Sequence, residues 1–155
     1  MKHAFLFLSI IVVLFSVSCA DSNPTDRANA FSDKPKTVED SLLHEVLEGH
    51  DVAMAKMMKL SKSISRVDQM LDSVNKIPAA SQNREYIVAL QQLKEKLSYA
   101  EMAMNTWMEE FKLDSLKENS ALRIQYLEAE KVKVNKMRDA VLGSLAQADS
   151  LLLRK

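Results

Sequence analysis

The chain has 155 residues with 21 basic and 21 acidic side chains in an interspersed pattern, and only two glycines and three prolines. A sheet protein of this size would need more turn residues, and a nucleic-acid partner would ask for a clustered basic surface, so the composition excludes both. What remains is one helical domain, once the chain's ends are set aside.

The first 18 residues read as an export signal. Lys2 supplies a positive start, and an apolar run over residues 4–17 leads through Ser16, Val17 and Ser18 to the chain's single cysteine, Cys19. The run is shorter than the roughly 20 residues of a membrane-spanning helix and suits a signal-peptide core. A small residue before a lone cysteine resembles a bacterial lipobox, although Ser16 stands where leucine is usual. That resemblance makes Cys19 the lipidated first residue of the mature protein and the membrane its first partner. Ordinary secretion and an uncleaved anchor are the alternatives, and both still export the chain. A lipidated Cys19 leaves no thiol for a disulfide, so stability must come from helix packing. Ala20 follows Cys19 where an aspartate often signals inner-membrane retention in such lipoproteins, so the expected address is the cell envelope at the outer membrane. Residues 19–36, rich in Asp, Asn, Ser and Pro, read as a flexible linker spanning about 20 to 25 Å.

Residues 37–155 are expected to form an all-α, coiled-coil-like three-helix bundle running up-down-up, with helices at about 38–76, 83–112 and 120–153. Thr37 and Asp40 make a capping-box variant at the first start. Along that helix one row reads Leu43, His50, Met57, Ile64, Leu71 and a second reads Val46, Ala53, Leu60, Val67, Val74. A spacing of seven in two rows gives one long apolar seam, which is stable only when other helices cover it. Pro78 ends the rod. Ser81 or Asn83 caps the second helix, whose seam is Tyr86, Leu90, Leu93, Leu97, Ala100, Met104, Trp107 and Phe111. Asn119 or Ser120 caps the third, with Leu127, Val134, Val141 and Ala148 as one row and Ile124, Met137, Leu145 and Leu152 near the other. Glu130 and Lys131 interrupt that pattern. The competing architecture is a helical hairpin that dimerises along the first seam.

A turn centred near residue 80 sets level those positions of the first two helices whose numbers sum to about 160. One layer then gathers His50, Met54, Met57, Met58, Met102, Met104, Trp107 and Met108, with Tyr126 and Glu130 as third-helix neighbours. Two readings compete for it. Methionine fills gaps between helices and touches aromatic edges, which makes the layer a core with His50 bonded to a carboxylate such as Glu130. Alternatively His50, Met54, Met57, Met104 and Met108 under Trp107 are a soft-metal site, because thioether and imidazole suit Cu(I) and an aromatic face can cover a cation. No other cofactor is indicated. His44 lies off the seam and reads as exposed. No histidine is placed with a serine or cysteine nucleophile, and no glycine-rich turn is present to hold phosphate, so an enzyme is not expected.

Three stretches carry a family likeness: His50-Asp51-x-x-Met54-x-Lys56-Met57, Ala103-Met104-x-x-Trp107-Met108-x-x-Phe111, and Tyr126-Leu127-Glu128 before a helix with Val134 and Met137. Together they resemble a group of small lipoproteins of Bacteroidota-type bacteria, often labelled "viral A-type inclusion protein", a label that reflects generic coiled-coil similarity. The resemblance implies an export signal, a lipidated cysteine and a helical periplasm-side domain, and it assigns no activity and no functional residues. The expected role is therefore structural or protein-binding within the envelope, with a protein partner. A Cu(I) carrier and an envelope chaperone using exposed methionines are the alternatives.

Overall fold

The computed structural model describes residues 35–152. The expected signal peptide, Cys19 and nearly all of the linker lie outside the described residues. Of the linker only Pro35 and Lys36 are described, and both are exposed.

Helix α1, Val38–Met54, begins where the capping box closes. The Thr37 Oγ1 accepts from the Asp40 backbone N–H at 3.0 Å, and the Asp40 carboxylate accepts from the Thr37 N–H at 3.1 Å. Glu39 and Asp40 also place negative charge at the positive end of the helix dipole. Helix α2, Met57–Asn75, continues the same rod after a bend. At the bend the Lys56 N–H bonds to the Ala53 carbonyl at 2.9 Å, three residues back rather than four, with Ala55 and Lys56 at ψ −15° and −8°. One tighter turn of this kind redirects the axis. No proline or glycine stands at the bend, and nothing local in the sequence accounts for it. The seam passes through intact: Val46, Ala53, Leu60 and Val67 are all fully buried.

Pro78 follows the end of α2, and the Gln82 side chain donates to the Val74 and Ile77 carbonyls at that end. After a 3₁₀ turn at Ala79–Ser81, helix α3, Arg84–Glu110, starts at Asn83, whose Oδ1 accepts from the Tyr86 N–H at 3.1 Å. Helix α4, Ser120–Leu152, starts at Asn119, which accepts from the Leu122 N–H in the same way. Among the described residues there is no strand, and no helix is long and apolar enough to cross a membrane.

Long-range pairs fix how the rods run. Asp68 with Lys94 and Met70 with Tyr86 join α2 to α3 in descending order, near the expected sum of about 160. Lys112 with Tyr126, Trp107 with Glu130 and Lys96 with Gln147 join α3 to α4, again in opposite senses. Glu39 with Arg123, Glu45 with Lys131 and Lys59 with Asp149 join the first rod to α4 in the same sense. α4 packs against α1, α2 and α3, and α2 packs against α3. One core results, drawing Val46, Ala53, Leu60 and Val67 together with residues of α3 and α4 such as Leu97, Met104, Val134 and Val141. The seam of the first rod is therefore covered from within the chain.

Gly49 shows how closely α1 and α4 approach. A Cβ at Gly49 would sit 3.1 Å from Val134 Cγ1 and 3.4 Å from Val134 Cγ2, whereas a Cβ at Gly143 would meet nothing within 4 Å. Both glycines lie inside helices, where alanine is favoured by about 1 kcal/mol. Gly143→Ala should raise unfolding stability by about 0.5 to 1 kcal/mol. Gly49→Ala should gain distinctly less, because Val134 must give way. Urea unfolding of the two variants compares them directly, and equal gains would contradict a close contact at Gly49.

Candidate functional site

The features that are not simple apolar packing concentrate where α1, the end of α3 and the start of α4 meet. The His50 ring lies 5.4 Å from Trp107, centroid to centroid and tilted by 32°. Trp107 stacks on Phe111 at 4.8 Å, and Phe111 lies parallel to Tyr126 at 6.2 Å. This ladder crosses from α1 through α3 to α4, and each step contributes about 0.5 to 1.5 kcal/mol beyond burial. Its polar edges are satisfied. Trp107 Nε1 donates to Glu130 Oε2 at 3.0 Å, and the Tyr126 hydroxyl accepts the Lys112 N–H at 2.8 Å.

Glu130 is a carboxylate taken almost wholly out of water, at 3% exposure. Its second oxygen accepts from Lys133 Nζ at 2.8 Å, one turn along the helix and half in solvent. The hydrogen bond to Glu130 is the main cause holding the Lys133 pKa above its ordinary value. His50 does not use Glu130 as its carboxylate. Its Nδ1 lies 2.9 Å from the neighbouring Asp51 Oδ1, and Glu130 serves Trp107 instead.

Arg123, which the sequence reading passed over, is the largest fully buried side chain among the described residues, at 2% exposure. Its Nε donates to Glu39 Oε1 at 3.0 Å and its Nη1 to the Ser115 carbonyl at 2.5 Å. One guanidinium thus joins the first turn of α1, the α3–α4 connection and the first turn of α4. The same connection holds Leu116 at φ 60°, the left-handed region that costs a non-glycine residue about 1 to 2 kcal/mol. The signal for Arg123 was available: Arg123, Glu130, Met137 and Ser144 are spaced by seven and form the second buried row of α4, mostly in polar residues. Of the row expected through Ile124, Met137, Leu145 and Leu152 are buried, whereas Ile124 is only half-buried and Arg123 takes the inward position beside it.

The six residues named as a possible soft-metal set occupy different environments. His50 and Trp107 are in contact, Met104 is fully buried in the core, and Met57 packs against that core. Met54 and Met108 are half exposed. Met58 and Met102 project further into solvent, and His44 is exposed. Among the described residues no group of three or more His, Cys, Asp or Glu side chains is placed to hold a metal ion.

Two predictions follow from this geometry. Glu39→Ala strands a buried guanidinium and should cost about 3 kcal/mol, while Glu39→Met with Arg123→Met, which removes both charges, should cost much less. Chemical denaturation of both variants checks this. The second concerns pH. A raised lysine pKa adds stability that is complete below the unfolded-state value of about 10.4 and is lost as pH rises through the higher folded value. Wild-type stability should accordingly fall more steeply than that of Lys133→Met above about pH 10.4. Thermal melts across that range would show parallel curves if the Lys133–Glu130 pair were idle.

Compared with protein-family models, with curated proteins and with solved structures, the chain finds no match.

Proposed function

We propose that the chain is an exported lipoprotein, anchored by lipid on Cys19 at the outer membrane, whose up-down-up three-helix bundle has a structural or protein-binding role in the envelope. The observation that carries this reading is the apolar run over residues 4–17 ending at the chain's single cysteine. The described domain supports it from the other side. It builds one core from helix packing, and every buried side-chain nitrogen and oxygen among the described residues has a hydrogen-bond partner. Such a domain needs no disulfide in an oxidising compartment. A protein-binding role is supported by exposed large apolar side chains, with Leu113, Leu116 and Leu122 grouped around the α3–α4 connection and Met54, Met58, Met102 and Met108 on α1 to α3. Methionine is suited to adaptable contact surfaces. The partner is a protein of the envelope. Interspersed charge along the rods speaks against nucleic acid.

Metabolic labelling with a palmitate analogue, followed by mass spectrometry of the mature N-terminus, tests the anchor. The wild-type chain should start at a lipid-modified Cys19, and Cys19→Ala should take up no label. An unlabelled wild-type chain, or one retaining Met1, would overturn the reading.

A further inference from the structure

One end of the domain collects its exposed leucines. Leu113, Leu116 and Leu122 stand 44% to 49% exposed, and the one other exposed leucine among the described residues is Leu142. Hydrogen bonds tie the first three into one small surface. The Leu116 carbonyl accepts from the Asn119 N–H at 3.1 Å, and Asn119 Oδ1 caps the Leu122 N–H at the same distance. Arg123, next to Leu122, donates to the Ser115 carbonyl and to Glu39, which brings exposed Val38 to the same end. Nearby charges pair within the chain, Lys117 with Asp114 and Arg123 with Glu39. Leu116 is held at φ 60°, a conformation that glycine would accept without strain. A leucine kept there, half in water and outside the core cluster, points to a use beyond the domain.

The chain enters the domain at this same end, through Pro35 and Lys36 into the first turn of α1. Residues 20–34 separate Cys19 from Pro35. A flexible linker of that length spans about 20 to 25 Å, less than half of the roughly 55 Å of the rod that α1 and α2 form. We infer that Val38, Leu113, Leu116 and Leu122 form a membrane-contact surface, which seats the domain on the lipid leaflet that anchors Cys19. This rests on the lipid-anchor reading and adds an orientation to it, with the Pro78 turn pointing away from the membrane. The occupant is the boundary between lipid headgroups and acyl chains, and the methionines on α1 to α3 are left for a protein partner. Apolar side chains at that boundary bind through the area they bury rather than through charge, so the contact should survive high salt.

The full chain, processed and purified with its lipid, can be placed in phosphatidylcholine nanodiscs that carry a paramagnetic lipid, and its isoleucine, leucine and valine methyl groups followed by NMR. The signals of Val38, Leu113, Leu116 and Leu122 should lose most of their intensity, at low and high salt alike. Those of Ile77 and Val88, similarly exposed near the Pro78 turn at 42% and 48%, should keep theirs. Leu113→Ser combined with Leu122→Ser should restore the Val38 and Leu116 signals while circular dichroism stays helical. Sharp leucine signals in the wild type, as a protein occupant would give, overturn the inference. So do equal losses at both ends, or Val38 and Leu116 signals that the double variant does not restore. The mass of the same sample separates the two ways of failing. Lipid on Cys19 with sharp leucine signals removes the contact surface alone, whereas a chain without lipid removes the anchor reading and the orientation drawn from it.

Discussion

The structure depends on covering one long apolar seam. Val46, Ala53, Leu60 and Val67 are each removed entirely from water, and two later helices of the same chain do the covering. Burying side chains of this size is favourable by about 1.5 to 3 kcal/mol for each valine or leucine, which makes the seam the main source of stability. Apolar rows alone tolerate sliding by a heptad, however, and α4 answers with polar groups. Its second row carries Arg123, Glu130 and Ser144, and each has a fixed partner: Glu39 and Ser115, Trp107 and Lys133, and the Val141 carbonyl. A displaced register would leave a buried guanidinium and a buried carboxylate unpaired, which costs far more than a displaced leucine. Gly49 adds a steric key, since a Cβ there would press to 3.1 Å from Val134.

How much of this could be read from the sequence follows from which forces are local. Caps are local, and Thr37 with Asp40, Asn83 and Asn119 act as their side-chain chemistry dictates. Periodicity is nearly local, and so the helix spans and the all-α class came through. Counting outward from a turn near residue 80 put His50 and Trp107 in one layer, and the two rings are in contact. What failed to come through was tertiary. The bend at Ala55 and Lys56 has no residue that marks it. Arg123 reads as a solvent residue until its spacing of seven from Glu130 is noticed, because charged side chains are rarely so buried. The partner of Glu130 was misjudged because spacing gives height along a rod but not which of two neighbours faces a carboxylate. The same limit explains why a single methionine layer resolves into two core members, Met57 and Met104, and four exposed ones.

Near the α3–α4 connection, ion pairs and stacked rings tie three helices together and hold a strained backbone. At the outer side of the same stack His50 is only partly covered, and Met54 and Met108 are half exposed. The proposed anchor would present this domain at the membrane surface. Rigid and adaptable regions of this kind commonly coexist, because ligand-binding elements are drawn from the less tightly packed parts of a fold.

The central claim is that the first seam is covered from within the same chain. Spin labels at Glu45→Cys and Lys131→Cys, placed in a Cys19→Ser background, measure this directly, because Glu45 and Lys131 pair across α1 and α4. Helix axes in contact lie about 8 to 10 Å apart, so the account predicts one short label-to-label distance, under about 20 Å, that persists when labelled chains are diluted into an excess of unlabelled chain. A distance that lengthens, or a short-distance signal that vanishes on dilution, would show the seam to be covered by a second molecule and would contradict the account.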